Sequence, residues 1–235
     1  MKKGNCFYYL LFFAALVLYA GRCMAADINL PKPALAGEVS VEAAIAGRRS
    51  IRNYEEGGLG VAAVSQLLWS AQGITDSSGK RAAPSAGAQY PLTVFVAAGD
   101  VQGLADGVYE YVPKSHSLKL VAKGDFREAI SVAAMGQRWV RQAPAVFVIA
   151  VNYGRMKRYG DKGRMFADME VGHAAENLSL QAVALGLGSV MVGAARDDAV
   201  ARVLRIADAS RPVYLIPVGK PKPPRAEARG VGRAA

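Results

Sequence analysis

Arg48-Arg49-Ser50-Ile51-Arg52 sets three guanidiniums and a hydroxyl within five residues. Such a group suits a phosphate, because arginine offers forked, charge-assisted donors and serine adds one more. A solvated basic turn has the same composition, so the cluster alone names no ligand. A second candidate is Pro84-Ser85-Ala86-Gly87-Ala88-Gln89-Tyr90-Pro91, just ahead of an apolar run. Its small residues let a backbone approach a flat ligand closely. A third is Gly186-Leu187-Gly188-Ser189, leading to Gly193-Ala194; a glycine pair there also serves simply to stop a helix. A fourth is Glu170, His173, Asn177 and Gln181, of which the last three recur every four residues and share one helical face. The Glu170-x-x-His173 pair would need a second copy to build a di-iron centre, and the chain has only one other histidine, His116. These residues read as the polar seam of a buried or dimer-facing helix, with no metal site.

Other chemistries are excluded by what the chain lacks. There is no G-x-S-x-G elbow, no G-x-x-x-x-G-K-[ST] loop and no G-x-G-x-x-G after a strand. Two cysteines exclude a disulfide-stapled mini-fold and a multi-cysteine metal module.

The elements that must position these groups alternate. Residues 27–37, with Pro31 and Pro33, read as an extended lead-in. Val41–Gly47 reads as a short helix ending at glycine. Val61–Gln72 carries Val61, Val64, Leu67, Leu68 and Ala71 on one stripe, an amphipathic helix. Strands are expected at Leu92–Ala98, Val108–Val112, Leu118–Val121, Ala145–Val151, Ser189–Val192 and Val213–Val218. Helices are expected at Phe126–Met135, Met165–Leu185 and Asp197–Leu204. The class is α+β, with a mixed sheet between helices.

Residues 1–25 are a different material. Lys2 and Lys3 precede an unbroken apolar run from Phe7 to Ala20, and small residues flank a cleavage point after Ala25. This is the layout of a secretory signal peptide, so the protein is expected to be periplasmic or secreted, and membrane-bound only if the segment stays uncleaved. Cleavage would remove both cysteines and lower the formal charge from +10 to +7. Residues 26–38 form the lead-in, and 222–235 a basic tail. Export and the tail account for most of the charge, and nucleic acid is not needed as a partner.

The wording and order of the segments resemble the nitroreductase-like flavoproteins, most closely the SagB/ThcOx-type dehydrogenase branch. The matching text is RRSIRNY from Arg48, APSAGAQYPL from Ala83, GVYEYVP from Gly107, APAVFVI from Ala143, EVGHAAEN from Glu170 with ALGLG from Ala184, and IPVGKP from Ile216. It spans residues 39–221. The resemblance implies a nitroreductase-like α+β domain over that range. It also implies an FMN-dependent oxidoreductase working as a homodimer, with hydride transfer through flavin N5, ping-pong turnover and a small organic or quinone-like substrate. Position by position, it implies that Arg48, Arg49, Ser50 and Arg52 hold the FMN phosphate, ribityl chain and pyrimidine edge. It puts Pro84, Ser85, Ala86 and Gly87 beside the ring of the partner's flavin. Gln137 stands where the family places an amide near the ring, and Gly193 and Ala194 offer backbone N–H groups to N5 and O4. Lys220 or Arg225 completes the phosphate clamp. No protein side chain is assigned a catalytic role. The competing reading is an exported flavin-binding protein of the same fold without redox turnover. The chain has no Lys-Tyr dipeptide, which the azoline-oxidising members share. An exported enzyme would also need a donor other than cytoplasmic NAD(P)H.

Overall fold

The computed structural model describes residues 27–206 and 209–223; the expected signal segment, both cysteines and Arg225 lie outside them. The elements run β1 (Ile28–Asn29), α1 (Val41–Gly47), β2 (Leu59–Gly60), α2 (Val61–Gln72), β3 (Leu92–Ala98), β4 (Val101–Gln102), β5 (Gly107–Val112) and β6 (Ser117–Lys123). They continue with α3 (Arg127–Ala133), α4 (Arg138–Gln142), β7 (Ala145–Val151), α5 (Lys162–Ala184), β8 (Gly188–Ser189), α6 (Asp197–Val203) and β9 (Arg211–Gly219).

The main sheet has the order β1-β6-β5-β3-β7-β9-β8, and its named strands pair antiparallel. Parallel character enters at the rim, where Ser50 bridges Ser189, and in the small β2–β4 pair. The strand period explains why β7 is apolar throughout. Successive side chains alternate between faces, and both faces are covered. Ala145, Phe147, Ile149 and Val151 join Val94 and Val96 of β3 in a core beneath α2 and α5. Val146, Val148 and Ala150 join Phe95 and Ala97 in a second core beneath α3, α4 and α6. A strand buried on both sides has no polar face to alternate with.

Two expected elements end earlier than their apolar runs. The strand expected over Ser189–Val192 pairs only through Ser189, with one further bridge from Val192 to Leu215. Val190 and Val192 bury their side chains in the second core, and Val192 exchanges two backbone hydrogen bonds with Leu215 of β9. The helix expected to Met135 stops at Ala133, because Met135 (φ 59°) and Gly136 (φ 73°) turn left-handed and the Gly136 N–H donates to Ser131 O. Helix α4 was not expected: the pattern Arg138-Trp139-Val140-Arg141 has too few apolar positions to declare a helix, yet Val140 is fully buried.

The lead-in is a strap along the outer edge of β6. Ile28 and Asn29 pair with Leu118 and Ser117. The Ser65 hydroxyl donates to Pro31 O at 2.6 Å, and His116 Nε2 lies 2.9 Å from the same oxygen. Gln66 clasps Ala34 twice, accepting from its N–H (2.9 Å) and donating to its carbonyl (3.0 Å). Among the described residues, no helix is long and apolar enough to cross a membrane.

Candidate functional site

The segment after α1 is fixed by its backbone and displayed by its side chains. Ile51 donates its N–H to Ser189 O at 2.9 Å, which lays residues 50–51 along β8. Tyr54 is buried, and its hydroxyl lies 2.9 Å from Ile51 O and 3.1 Å from Pro217 O. Burial pushes that phenol above its ordinary range. The approach to β8 is tight: a Cβ on Gly188 would stand 2.7 Å from the Ile51 Cβ. Held this way, the segment presents Arg48, Arg49 and Arg52 outward. Arg48 is half-buried and its Nε lies 3.4 Å from Glu176 on α5. Arg49 turns back on its own helix, donating to Ala46 O and Arg48 O. The Arg52 guanidinium lies over Trp139, 5.5 Å from the ring centroid.

Gln137 and the Gly193-Ala194 turn adjoin this segment. The Gln137 amide donates to Ala194 O and Ala134 O, both at 2.9 Å. Trp139, which carries Arg52, follows two residues later. Gly193 and Ala194 are exposed, and among the described residues neither N–H has an acceptor. Two adjacent unused backbone donors beside an arginine cluster suit the polar edge and phosphate of a flavin nucleotide. Lys220 lies close by, since Glu55 N–H donates to its carbonyl, but its ammonium contacts Glu55 at 2.7 Å. Thus Arg48, Arg49, Ser50, Arg52, Gln137, Gly193, Ala194 and Lys220 gather at the β8 end of the sheet.

Pro84, Ser85, Ala86 and Gly87 do not join them within one chain. Their loop sits on α5, where Ala86 N–H donates to Glu170 Oε1 at 2.9 Å. Ser85 Oγ accepts from Tyr90 N–H, and Gly87 takes φ 55°, where a Cβ would run into the Tyr159 hydroxyl. The polar seam read from the sequence is present in part: Glu170 is buried, Gln181 accepts from Gln66, and His173 is exposed. No group of three or more metal-ligating side chains exists among the described residues. Sequence reasoning missed Trp139, Arg81 and Arg155, none of which falls in a recognisable motif, and it passed over Glu176 although the EVGHAAEN segment contains it.

Burial holds the Glu170 carboxyl above the ordinary glutamate value, opposed by the Ala86 and Ser85 donors. A raised folded-state value means that the protonated form is favoured on folding, so stability falls as pH rises through that window. Glu170→Gln keeps an acceptor for Ala86 and removes the buried charge. Its stability relative to wild type is therefore expected to be higher at pH 7 than at pH 4, read from urea midpoints. An equal difference at both pH values would remove Glu170 as the cause.

The antiparallel sheet with helices on both faces, and a basic segment clipped to its rim, define an α+β oxidoreductase fold of the nitroreductase type. The chain belongs to the Nitroreductase family, whose sequence model it matches over residues 45–220. A Methanocaldococcus jannaschii protein, named provisionally as a nitroreductase, is 41% identical over 184 residues, covering 78% of this chain and 92% of that one. A Ralstonia eutropha JMP134 crystal structure, also named provisionally as a nitroreductase, is 28% identical with a TM-score of 0.74, covering 86% and 93% of the two chains. The NADPH:FMN oxidoreductase of Vibrio harveyi shares the fold at 18% identity and a TM-score of 0.57, covering 77% and 69%.

Proposed function

We propose that this protein is an exported, homodimeric, FMN-dependent oxidoreductase of the SagB/ThcOx-type branch, acting on a small organic or quinone-like substrate by ping-pong turnover. The observation that carries the reading is the union of the Arg48–Arg52 segment with the unused N–H groups of Gly193 and Ala194. The naming of the Vibrio harveyi relative supports FMN as the flavin. FMN, when bound, supplies the hydride chemistry, and the protein positions and tunes it. Arg48, Arg49 and Ser50 would hold the phosphate and ribityl chain, with Lys220 beside them. Arg52 would place positive charge at the pyrimidine edge, where it stabilises negative charge. Gly193 and Ala194 would orient the ring through their N–H groups, and Gln137 fixes that turn through Ala194 O. Residues 84–87, carried by the partner, would cover the ring and exclude water.

The dimer reading has its own support. Val41 and Ile45 of α1, and Met165 and Met169 of α5, are exposed apolar pairs at four-residue spacing. Leu35, Trp69 and Leu180 line a groove of about 400 Å³ nearby.

Supplying FMN to the purified protein, removing the excess and recording the visible spectrum tests the central reading. A stoichiometric flavin spectrum that bleaches with a reductant is expected. A protein that keeps no flavin would sink it.

A further inference from the structure

Away from the Arg48–Arg52 segment, a second pair of guanidiniums faces a cavity of about 230 Å³. Leu92, Thr93 and Val94 of β3 line the cavity, and Arg81 and Arg155 belong to the same lining. One residue orients both. Arg81 stacks on the Tyr90 ring, 4.5 Å from guanidinium carbon to centroid. Arg155 Nη1 donates to the Tyr90 carbonyl at 2.6 Å. Tyr90 is itself pinned, with φ 46° and its N–H on Ser85 Oγ at 2.8 Å. Arg81 is further fixed by Gln72, whose Oε1 accepts from Nη1 at 2.8 Å.

The two cations lack a neutralising partner. Among the described residues neither has a carboxylate within ion-pair distance. Arg81 is half-buried; burial lowers its pKa, and the charge on Arg155 acts in the same direction. Glu170 offsets this only through space, since it accepts from the Ala86 N–H of the loop. Glu110 also lines the cavity, but it stands opposite Lys119 in the β5–β6 register, which places a cation beside it on the same face. Two like charges built rigidly around one tyrosine, one of them half-buried, are held at an energetic disadvantage that an anion would reverse. A guanidinium has five N–H donors, and each of these spends only one on the bonds above. The rest suit a forked oxyanion.

We propose that Arg81 and Arg155 clamp the carboxylate or phosphate group of a small-molecule ligand in this cavity. The inference does not rest on the flavin reading, because it uses a different cavity and different arginines. Ligand binding there would reach Tyr90 directly, and through it the loop that begins at Pro84.

The test is titration calorimetry of the purified protein at low ionic strength, with inorganic phosphate and, separately, with malonate. One-to-one binding of at least one anion is expected; phosphate alone would indicate a phosphate ester, and malonate alone a carboxylate. Arg155→Gln, at an exposed position where folding is not at risk, should weaken that binding at least tenfold. Arg81→Gln should do the same, while Arg48→Ala, in the segment assigned to the flavin phosphate, should leave it unchanged. Nitrogen-15 NMR should show the Arg81 Nε signal moving with the anion. No binding of either anion, or binding that survives both cavity variants, overturns the proposal. Loss in Arg48→Ala alone also overturns it, and would place the anion on the flavin-phosphate segment instead.

Discussion

Replacing Arg48 and Arg52 together by alanine is expected to weaken FMN binding by about 10²- to 10⁴-fold. Hydrogen bonds to charged groups contribute roughly 1.5–3 kcal/mol each, and each 1.4 kcal/mol is about tenfold in affinity. The fold should tolerate the change. Arg52 is exposed and rests only on the face of Trp139, while Arg48 is half-buried and its partner Glu176 is half-exposed. Surface substitutions of this kind usually move stability by no more than about 0.5 kcal/mol. Equilibrium dialysis with FMN, alongside a melting curve, separates the two effects. A well-folded double variant with wild-type affinity would refute the phosphate assignment outright. Arg52→Ala alone should also lower the rate of flavin reduction more than it lowers affinity, because its charge acts where negative charge develops.

Gly188→Ala should damage both stability and flavin retention, although it adds one carbon. The new Cβ would lie 2.7 Å from the Ile51 Cβ, and Ile51 is bonded through its N–H to Ser189. The clash is with an atom next to the backbone, so a side-chain rotation does not relieve it. Overpacking of this kind costs about 1–3 kcal/mol, a fall in Tm on the order of 2–12 °C for a domain of this size. Ile51 stands between Ser50 and Arg52, so moving it moves the residues proposed to hold the phosphate. Gly172→Ala is the control, since a Cβ there meets nothing within 4 Å and the position lies within α5. Equal melting temperatures and equal flavin content in Gly188→Ala and wild type would show that the approach at β8 is not tight.

What the sequence disclosed depended on how local the signal was. Ala145–Val151 is legible because seven apolar residues in a row specify a strand covered on both faces. Val41–Gly47 is legible because glycine ends it, and the structure adds the Ser40 hydroxyl as its cap, accepting from Ala43 N–H. The Arg48–Arg52 group is legible because its donors are consecutive. Helix α5 begins at Lys162, ahead of the expected Met165, because its first turn is polar and carries no apolar period. The pairing of Gln137 with Ala194 and the meeting of Arg81 with Arg155 on Tyr90 join residues far apart in the chain. No spacing rule reports such contacts; only the packing of β3 and β7, with the loops at their ends, brings them together. The division of the site into two groups, one on the β8 rim and one on α5, was likewise available only as an implication of family resemblance.

The lead-in strap has a consequence for how the molecule forms. Ile28 is made early, yet its partner Leu118 follows only after α1, α2 and four further strands. Contacts that close so long a loop form slowly, since the entropy of closure is lost before the pairing is gained. Until then the outer edge of β6 presents unpaired backbone groups, the kind of surface on which other chains add a strand. Molecules in which this closure has not formed are the ones at risk of aggregating during refolding, and the Ser65, Gln66 and His116 contacts hold the strap against the Ser117–Leu118 end of that edge.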